Sequence, residues 1–559
     1  MSARLGLNRH AFSLGGASGA LRSALRPIPL GAGLLALAGI LVVLYATPFG
    51  PWVYSDSTEY IVSARNFLKG LGMGLVQASG EYQTLSLHPP LYPMTLALGG
   101  LAGADLVDWA RWLNATLFGV TILLAAGIVA YATGSPWLAL GAGLVFLVHP
   151  GLVELYTGAM SEPLFFVAGL GGLLLLLVYL NRGRAWQLLG AGVACGLALL
   201  TRYPGVAFVA AGEAGLLIFS KSGRRQRLRD AAIFLVLAAV PLSLWQIWLA
   251  SQPDATPSWQ WNLRVGDLWQ ALTPFRIELV QVVWGWIPYH PHLPPLPYWL
   301  KPRSMLAVGL ILTALVVAAA ARISRRERAP WRRARSLQLA VLASAFALFS
   351  VGVLAAVFVY SVPALDRADI DRRMLLPPHI GLTLAGFGLA HLAMRAWPQV
   401  RAIPWLAAVG ILLSASWYLP QSWEFVTDLR RAGAGYTGLT WRNSPTLNAV
   451  QAFPPELPLI TNESAALTFL LDRPAYDLPE LVQGVKLRSY ARFGEGQDHE
   501  ERLFREEGAA LVLFKSAYLH FYRIYEAGTE DRLEALVQGL QLKALYEDGA
   551  IYFYQPLTE

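Results

Sequence analysis

Apolar runs close to twenty residues long recur along most of the chain, each cut off by a short basic or Gly/Pro-rich break. Runs of that length match the hydrocarbon thickness of a bilayer and predict transmembrane helices. Spans are placed near 30–47, 109–131, 137–150, 161–180, 187–200, 204–220, 231–250, 304–321, 337–360, 375–394 and 402–419, about eleven in all. Beyond 420 the pattern changes: apolar runs shorten, charges become common, and prolines punctuate Phe453-Pro454-Pro455-Glu456. Leu457–Thr461 and Ala509–Phe514 read as strands, and Leu533, Leu536, Val537 and Leu540 have helical spacing. Glu547-Asp548-Gly549 between Leu542–Tyr546 and Ala550–Tyr554 signals a hairpin. The expected fold is an α-helical polytopic membrane domain over 30–420, preceded by a cytoplasmic tail 1–29. A C-terminal extracytoplasmic α/β domain follows over 421–559, roughly 140 residues and of ordinary domain size.

The most informative polar break directly follows the first span. In Tyr54–Tyr60 and the residues after it, Asp56, Glu59, Ser63 and Asn66 recur on one stripe of a helix. Tyr60, Ala64, Phe67, Leu68 and Leu71 make the opposite, apolar stripe. The pattern predicts a helix in the membrane interface, within a first outer loop 48–108, presenting two carboxylates at the mouth of a bundle.

Composition agrees with the threading. Only 14% of the 559 residues are charged and 55% are hydrophobic, against about a quarter charged in soluble domains. The net charge of +8 does not imply nucleic-acid binding, because its Lys and Arg residues sit in short loops. Arg182/Arg184, Lys221–Arg229, Arg322–Arg335 and Arg395/Arg401 all fall on the same side under alternate crossing, as cytoplasmic loops should. The tail before the first span also resembles a signal peptide. Pro48-Phe49-Gly50-Pro51 offers no small-x-small cleavage site, so an uncleaved span is expected. Cys195, the lone cysteine, lies inside an apolar run and implies neither a disulfide framework nor a cysteine metal site.

The same threading gathers the chemically capable residues on the outer face. His88 and Tyr92 lie in Leu87–Pro93, where prolines also serve simply to start a helix. Glu162 opens a span next to Pro163, where a carboxylate also complements the helix dipole. Arg202 and the pair Arg372/Arg373 are positive charges on the translocated side, so each needs a partner. A lipid phosphate suits a guanidinium, and Asp366, Asp369 and Asp371 are the local alternatives. Loop 251–303 carries Trp259, Trp261, Trp269, Trp284, Trp286 and Trp299, an aromatic belt or the floor of a sugar or prenyl groove. Lys301 and Arg303 at its end are further phosphate candidates. Glu213 is placed in mid-span, which is a functional hypothesis by default.

Taken together, the chain resembles bacterial membrane glycosyltransferases of the GT-C superfamily, near the protein O-mannosyltransferase and lipid A aminoarabinose transferase families. The residues carrying the likeness are Ser55-Asp56-Ser57 with Tyr60, Ala64, Leu68-Lys69-Gly70 and Gly72, then Pro89–Pro93. Ser161-Glu162, Thr201-Arg202-Tyr203 and Arg373–Pro377 follow in the family's order. Two departures stand out: Glu59 is three residues from Asp56 where the family often has adjacent acids, and Met374 replaces a tyrosine after the late arginine. The resemblance implies inverting transfer of a sugar from a polyprenyl-phosphate donor to a lipid, glycan or protein acceptor at the outer face of the cytoplasmic (inner) membrane. Asp56 would be the general base, with Glu59 orienting the acceptor, binding a cation or solvating the helix. Arg202, Arg372, Arg373, Lys301 and Arg303 would hold donor phosphate. Tyr60, His88, Tyr92 and Glu162 would line the substrate pocket. No cofactor is required by the residues, and a divalent cation is left open because no His/carboxylate cluster has ligand spacing. The alternatives are a transporter or lipid flippase using Glu213, which predicts repeated halves and a midplane site, and a non-catalytic envelope-assembly protein, which leaves Asp56 unexplained.

Overall fold

The structure is a computed structural model describing residues 30–254, 334–361, 373–477, 503–515 and 540–554, except Ser222 and Arg505, with a few positions between 279 and 322. It is mostly helical. The helices are α1 (Leu30–Ala46), α2 (Ser55–Leu68), α3 (Leu91–Leu101), α4 (Leu106–Thr133), α5 (Pro136–Val148), α6 (Pro150–Tyr156), α7 (Glu162–Arg182), α8 (Ala185–Thr201), α9 (Val206–Phe219) and α10 (Arg224–Ala250). After the break come α11 (Arg335–Ser361), α12 (Leu376–Ala396), α13 (Ala402–Ala432), α14 (Leu439–Arg442), α15 (Pro445–Gln451) and α16 (Ser464–Leu471).

Local chemistry sets the boundaries. Asp105 caps α4 by accepting from the amides of Val107 and Asp108 at 2.9 and 3.0 Å, satisfying donors that a helix start leaves free. Gly134 ends α4 at φ +70°, and Ser135-Pro136 opens α5 at once. Most expected spans match these helices within a few residues; α10 begins earlier than expected, at Arg224, α13 runs past its expected end to Ala432, and 304–321 lies almost wholly outside the described residues. Among the described residues five helices are long and apolar enough to cross a membrane, and the α5–α6 pair, bent by 60°, makes a sixth. Large apolar side chains face outward on α1 (Leu34), α10 (Ile247) and α13 (Trp405, Leu412). Such a surface is stable against lipid, not water.

One expected boundary differs and one segment proves richer than expected. The boundary at 420 falls inside α13, which continues to Ala432 through Pro420. An internal proline removes one backbone bond, but Tyr418, Ser422, Val426 and Leu429 stay on one buried face and hold the helix to the bundle. Segment 48–108 contains α2, where the interfacial helix was expected, and adds the hairpin β1 (Gly74–Val76)/β2 (Tyr82–Thr84) and α3.

Beyond α13, a five-stranded mixed sheet has the order β4-β3-β5-β7-β6. Its strands are β3 (Leu459–Thr461), β4 (Tyr476–Asp477), β5 (Ala510–Phe514), β6 (Leu540–Tyr546) and β7 (Gly549–Tyr554). β3 runs parallel to β4 and β5, whereas β7 runs antiparallel to β5 and β6. The expected hairpin is β6–β7. Leu540 belongs to β6 rather than to a helix; Leu533, Leu536 and Val537 lie outside the described residues. The sheet shares an apolar core with α2 and α3: Tyr60, Ile61 and Leu96 belong to the same buried cluster as Trp441, Val512 and Phe514.

Candidate active site

Asp56 owes its position to the three residues before its helix. Trp52 and Val53 form isolated parallel bridges to Gly158 and Gly435, and the Trp52 indole N–H donates to the Glu154 carbonyl at 2.9 Å. A Cβ on Gly158 would lie 2.2 Å from the Trp52 ring, and Gly435 has φ +58° with the Val53 carbonyl oxygen 2.2 Å from where its Cβ would be. Only glycine permits both approaches. The start of α2 is thereby pinned between the chain entering α7 and the chain leaving α13.

The stripe predicted for α2 holds only at its N-terminal end. Asp56 and Glu59 are partly exposed, with side chains 28% and 25% accessible. Ser63 and Asn66 are buried, whereas Phe67, Leu68 and Leu71 are exposed. The C-terminal half of the helix is reversed because the hairpin covers its polar side: Asn66 Nδ2 donates to the Gly74 carbonyl at 2.9 Å. Outside, Asp472 at the end of α16 takes Arg65 and Lys69 at 3.4 and 2.5 Å.

Around Asp56 the chain assembles residues distant in sequence. Arg373 Nη1 donates to Asp56 Oδ2 at 2.9 Å, and its Nε lies 3.7 Å from Glu162 Oε1. Arg202 Nη1 lies 3.0 Å from the same Glu162 oxygen and donates to Ser161 Oγ at 2.9 Å. Ser161 in turn donates to the Tyr60 hydroxyl at 3.2 Å. Glu162 is almost wholly buried and lies within ion-pair distance of both guanidiniums, which a helix-start reading alone does not explain. The expected partners Asp366, Asp369 and Asp371 lie outside the described residues, as do Arg372, Lys301 and Arg303.

His88 and Glu59 form the second half of the cluster. His88 Nε2 is 3.5 Å from Glu59 Oε2, and the His88 ring meets the Tyr60 ring edge-on at 4.9 Å. Tethers from neighbouring helices fix the segment that carries His88. The Tyr203 hydroxyl donates to the Ser86 carbonyl at 3.2 Å, and Asp254 accepts from both the amide and the hydroxyl of Thr84. Tyr60 and Tyr92 are fully buried with their rings 5.3 Å apart; they back the cluster and do not line an open face. Sequence reasoning missed Asn114, whose Nδ2 donates to the Gly158 carbonyl at 2.6 Å and contacts the Tyr92 hydroxyl and the Met160 carbonyl. The available signal was a polar residue inside an apolar run.

Electrostatics separates the three titratable groups. Burial acts to raise the Asp56 carboxyl, but the Arg373 and Arg202 charges overcome it and the net displacement is downward. Burial, then the Asp56 charge, pushes Glu59 up to about 8. Burial, helped by Arg202 and Arg373 and opposed by Asp56, pushes His88 down to about 4. At neutral pH the site therefore holds an ionised Asp56 beside a protonated Glu59 and a neutral His88. Among the described residues, no group of three His, Cys, Asp or Glu is placed to hold a metal ion.

Glu213 stands apart. It lies half-buried within α9, and its Oε1 is enclosed without a hydrogen-bond partner among the described residues.

Residues 103–246 match the sequence profile of the family described as dolichyl-phosphate-mannose-protein mannosyltransferase. That stretch contains Glu162 and Arg202. No curated protein matches the chain. Among solved structures, the chain is similar to ArnT from Cupriavidus metallidurans bound to undecaprenyl phosphate, at 17% identity over 93% of this chain and 97% of that one, with a TM-score of 0.49. It is also similar to the arabinofuranosyltransferase AftD from Mycobacteria, at 15% identity with a TM-score of 0.50, covering 93% of this chain and 41% of that one. The AftD likeness is one of fold. The profile match makes residues 103–246 similar to the mannosyltransferase family that the ordered sequence motifs implied.

Proposed function

We propose that the protein moves a sugar from a polyprenyl-phosphate-linked donor to an acceptor hydroxyl at the outer face of the cytoplasmic membrane, with inversion. The profile match supports this donor class. The single observation that carries the reading is the chain Asp56–Arg373–Glu162–Arg202, ion pairs of 2.9, 3.7 and 3.0 Å drawn from four separate segments. The acceptor oxygen attacks the anomeric carbon as the bond from that carbon to the phosphate oxygen breaks. The lipid phosphate departs as an anion that needs charge stabilisation more than a proton, and the two guanidiniums supply it.

The acceptor proton passes to Asp56. An aspartate held below its usual range is a weak base. As the new bond forms, however, the attacking oxygen becomes strongly acidic, and a weak base suffices late in the step. Arrival of the donor phosphate competes with Asp56 for Arg373, which loosens the 2.9 Å pair and restores basicity when it is needed. Glu59, as a neutral acid, donates a hydrogen bond to a substrate hydroxyl or to His88.

The topology proposed with this function keeps about eleven spans, the N-terminal tail inside and the residues after α13 outside. Helix ends at the opposite pole fit that sidedness: Arg335 donates to the Tyr131 carbonyl and Arg322 to the Ala396 carbonyl, away from the Asp56 cluster. Purified Asp56→Asn protein is expected to lose transfer from a polyprenyl-phosphate sugar by at least about a hundredfold while inserting and melting like the parent. Full activity in that variant removes Asp56 as the base.

A further inference from the structure

The break between α5 and α6 brings together side chains that the proposed transfer does not use. Pro150 at the first position of α6 prevents the helix from continuing, and the Val148 carbonyl accepts instead from Ser422 Oγ of α13 at 2.7 Å. His149 caps α6, its Nδ1 accepting the Leu152 amide at 3.3 Å. With Nδ1 committed as an acceptor, neutral His149 carries its proton on Nε2. That nitrogen is 3.0 Å from His379 Nδ1. The His379 proton is therefore on Nε2, 3.2 Å from the Tyr418 hydroxyl. A one-directional chain of hydrogen bonds thus runs from the backbone of α6 through α12 to α13. All three side chains are buried, and Trp286 stacks on His379 at 4.1 Å with the planes 13° apart.

Both ends of the histidine bridge lead to the candidate site. α6 and the turn after it deliver Ser161 and Glu162. α12 begins just after Arg373, whose carbonyl accepts the Leu376 amide at 3.2 Å, and His379 lies in its first turn. The two elements touch beside the bridge, where a Cβ on Gly151 would sit 3.3 Å from Leu376. The cap on the Leu152 amide needs only an acceptor at position 149 and does not account for an imidazole at 379. Imidazoles add a directional bond that fixes the spacing between the two elements.

We propose that His149 and His379 are positioning residues for the glycosyl transfer. Their mutual hydrogen bond sets the separation of Glu162 from Arg373, and so the spacing of the arginine pair that receives the lipid phosphate. The inference rests on the reading of those arginines given above.

The test uses the full-length protein in lipid nanodiscs with a polyprenyl-phosphate sugar. His379→Phe keeps the ring on Trp286 and removes both hydrogen bonds. It is expected to raise the donor KM about tenfold with kcat within about threefold. His379→Asn, whose side-chain carbonyl replaces Nδ1 as acceptor, is expected to recover most of that loss. The double variant His149→Asn/His379→Phe, whose asparagine keeps an acceptor for the Leu152 amide, is expected to be no worse than His379→Phe, because both changes then break the same bond between the two side chains. An unchanged KM, additive losses, or no recovery in His379→Asn overturns the proposal. If the parent protein transfers no polyprenyl-phosphate sugar, the function reading fails separately. Amide hydrogen exchange then decides the positioning: His379→Phe must exchange faster at both 162–166 and 374–376, and unchanged protection there rejects the bridge.

Discussion

A single carboxyl group, that of Glu59, gives the site its most distinctive pH signature. Its folded value is raised to about 8, so the stability it contributes is present at low pH and is lost as pH rises from the unfolded range through about 8. His88 has the opposite sign. Its folded value is lowered to about 4, so its contribution is present above about 6.5 and is lost as pH falls through about 4. The melting temperature of the parent protein should therefore fall on both flanks of a mid-range plateau. In thermal melts from about pH 4 to about 9, Glu59→Gln should abolish the alkaline fall and leave a curve that rises up to about pH 6.5, whereas His88→Asn should weaken the acid fall and leave a curve that declines steadily through about pH 8. Unchanged melting curves on those flanks remove the two groups from the electrostatic account. Asp56 adds to the acid side, since its lowered carboxyl loses stability only as pH falls below the ordinary carboxylate range.

At the scale of elements, what the sequence conveyed depended on the kind of force involved. Burial in lipid is repeated at every residue of a span, so hydropathy placed helices such as α4 and α7 within a few residues of their ends. Asp56 and Glu59 were legible because a carboxylate pair at the end of an apolar run is costly. Contacts set by tertiary packing were not legible. The hairpin that covers Asn66 reversed half of the α2 stripe, and α13 ran through Pro420 because a buried face held it. Nor did any local pattern announce that Trp52 rests on Gly158, although that contact decides where α2 starts. Gly158→Ala tests it. A methyl group 2.2 Å from the Trp52 indole must push the ring and the 52–56 segment outward, costing about 1–3 kcal/mol of stability. Transfer activity should fall by more than that loss of folded protein accounts for, because Asp56 moves relative to Arg373. Wild-type turnover by the folded fraction of Gly158→Ala contradicts this account of how the base is placed.

Over the whole molecule, the ionisable groups among the described residues divide unequally, and the division bears on the choice between the proposed transferase and a transporter. At one pole of the helical bundle Asp56, Arg373, Glu162 and Arg202 are linked by contacts of 2.9 to 3.7 Å, and Glu59, one turn on from Asp56, pairs with His88 at 3.5 Å. The sheet that follows α13 shares its core with α2 at that same pole. Surface ion pairs such as Asp472 with Arg65 and Lys69 contribute little there, so apolar burial carries the junction. A carrier that exposes its substrate to each side in turn needs its charged site near mid-depth, between elements that rock. Glu213 is the residue best placed for that role, yet among the described residues no contact ties it to the cluster, and α9 is continuous around it. Glu213→Gln is therefore expected to leave sugar transfer within about twofold of the parent, a size ordinary for a substitution remote from the chemistry. Reconstituted in vesicles, it should also leave proton movement across the bilayer unchanged. Loss of a proton-coupled flux in Glu213→Gln, with transfer by Asp56→Asn intact, reverses the assignment and makes the bundle a carrier.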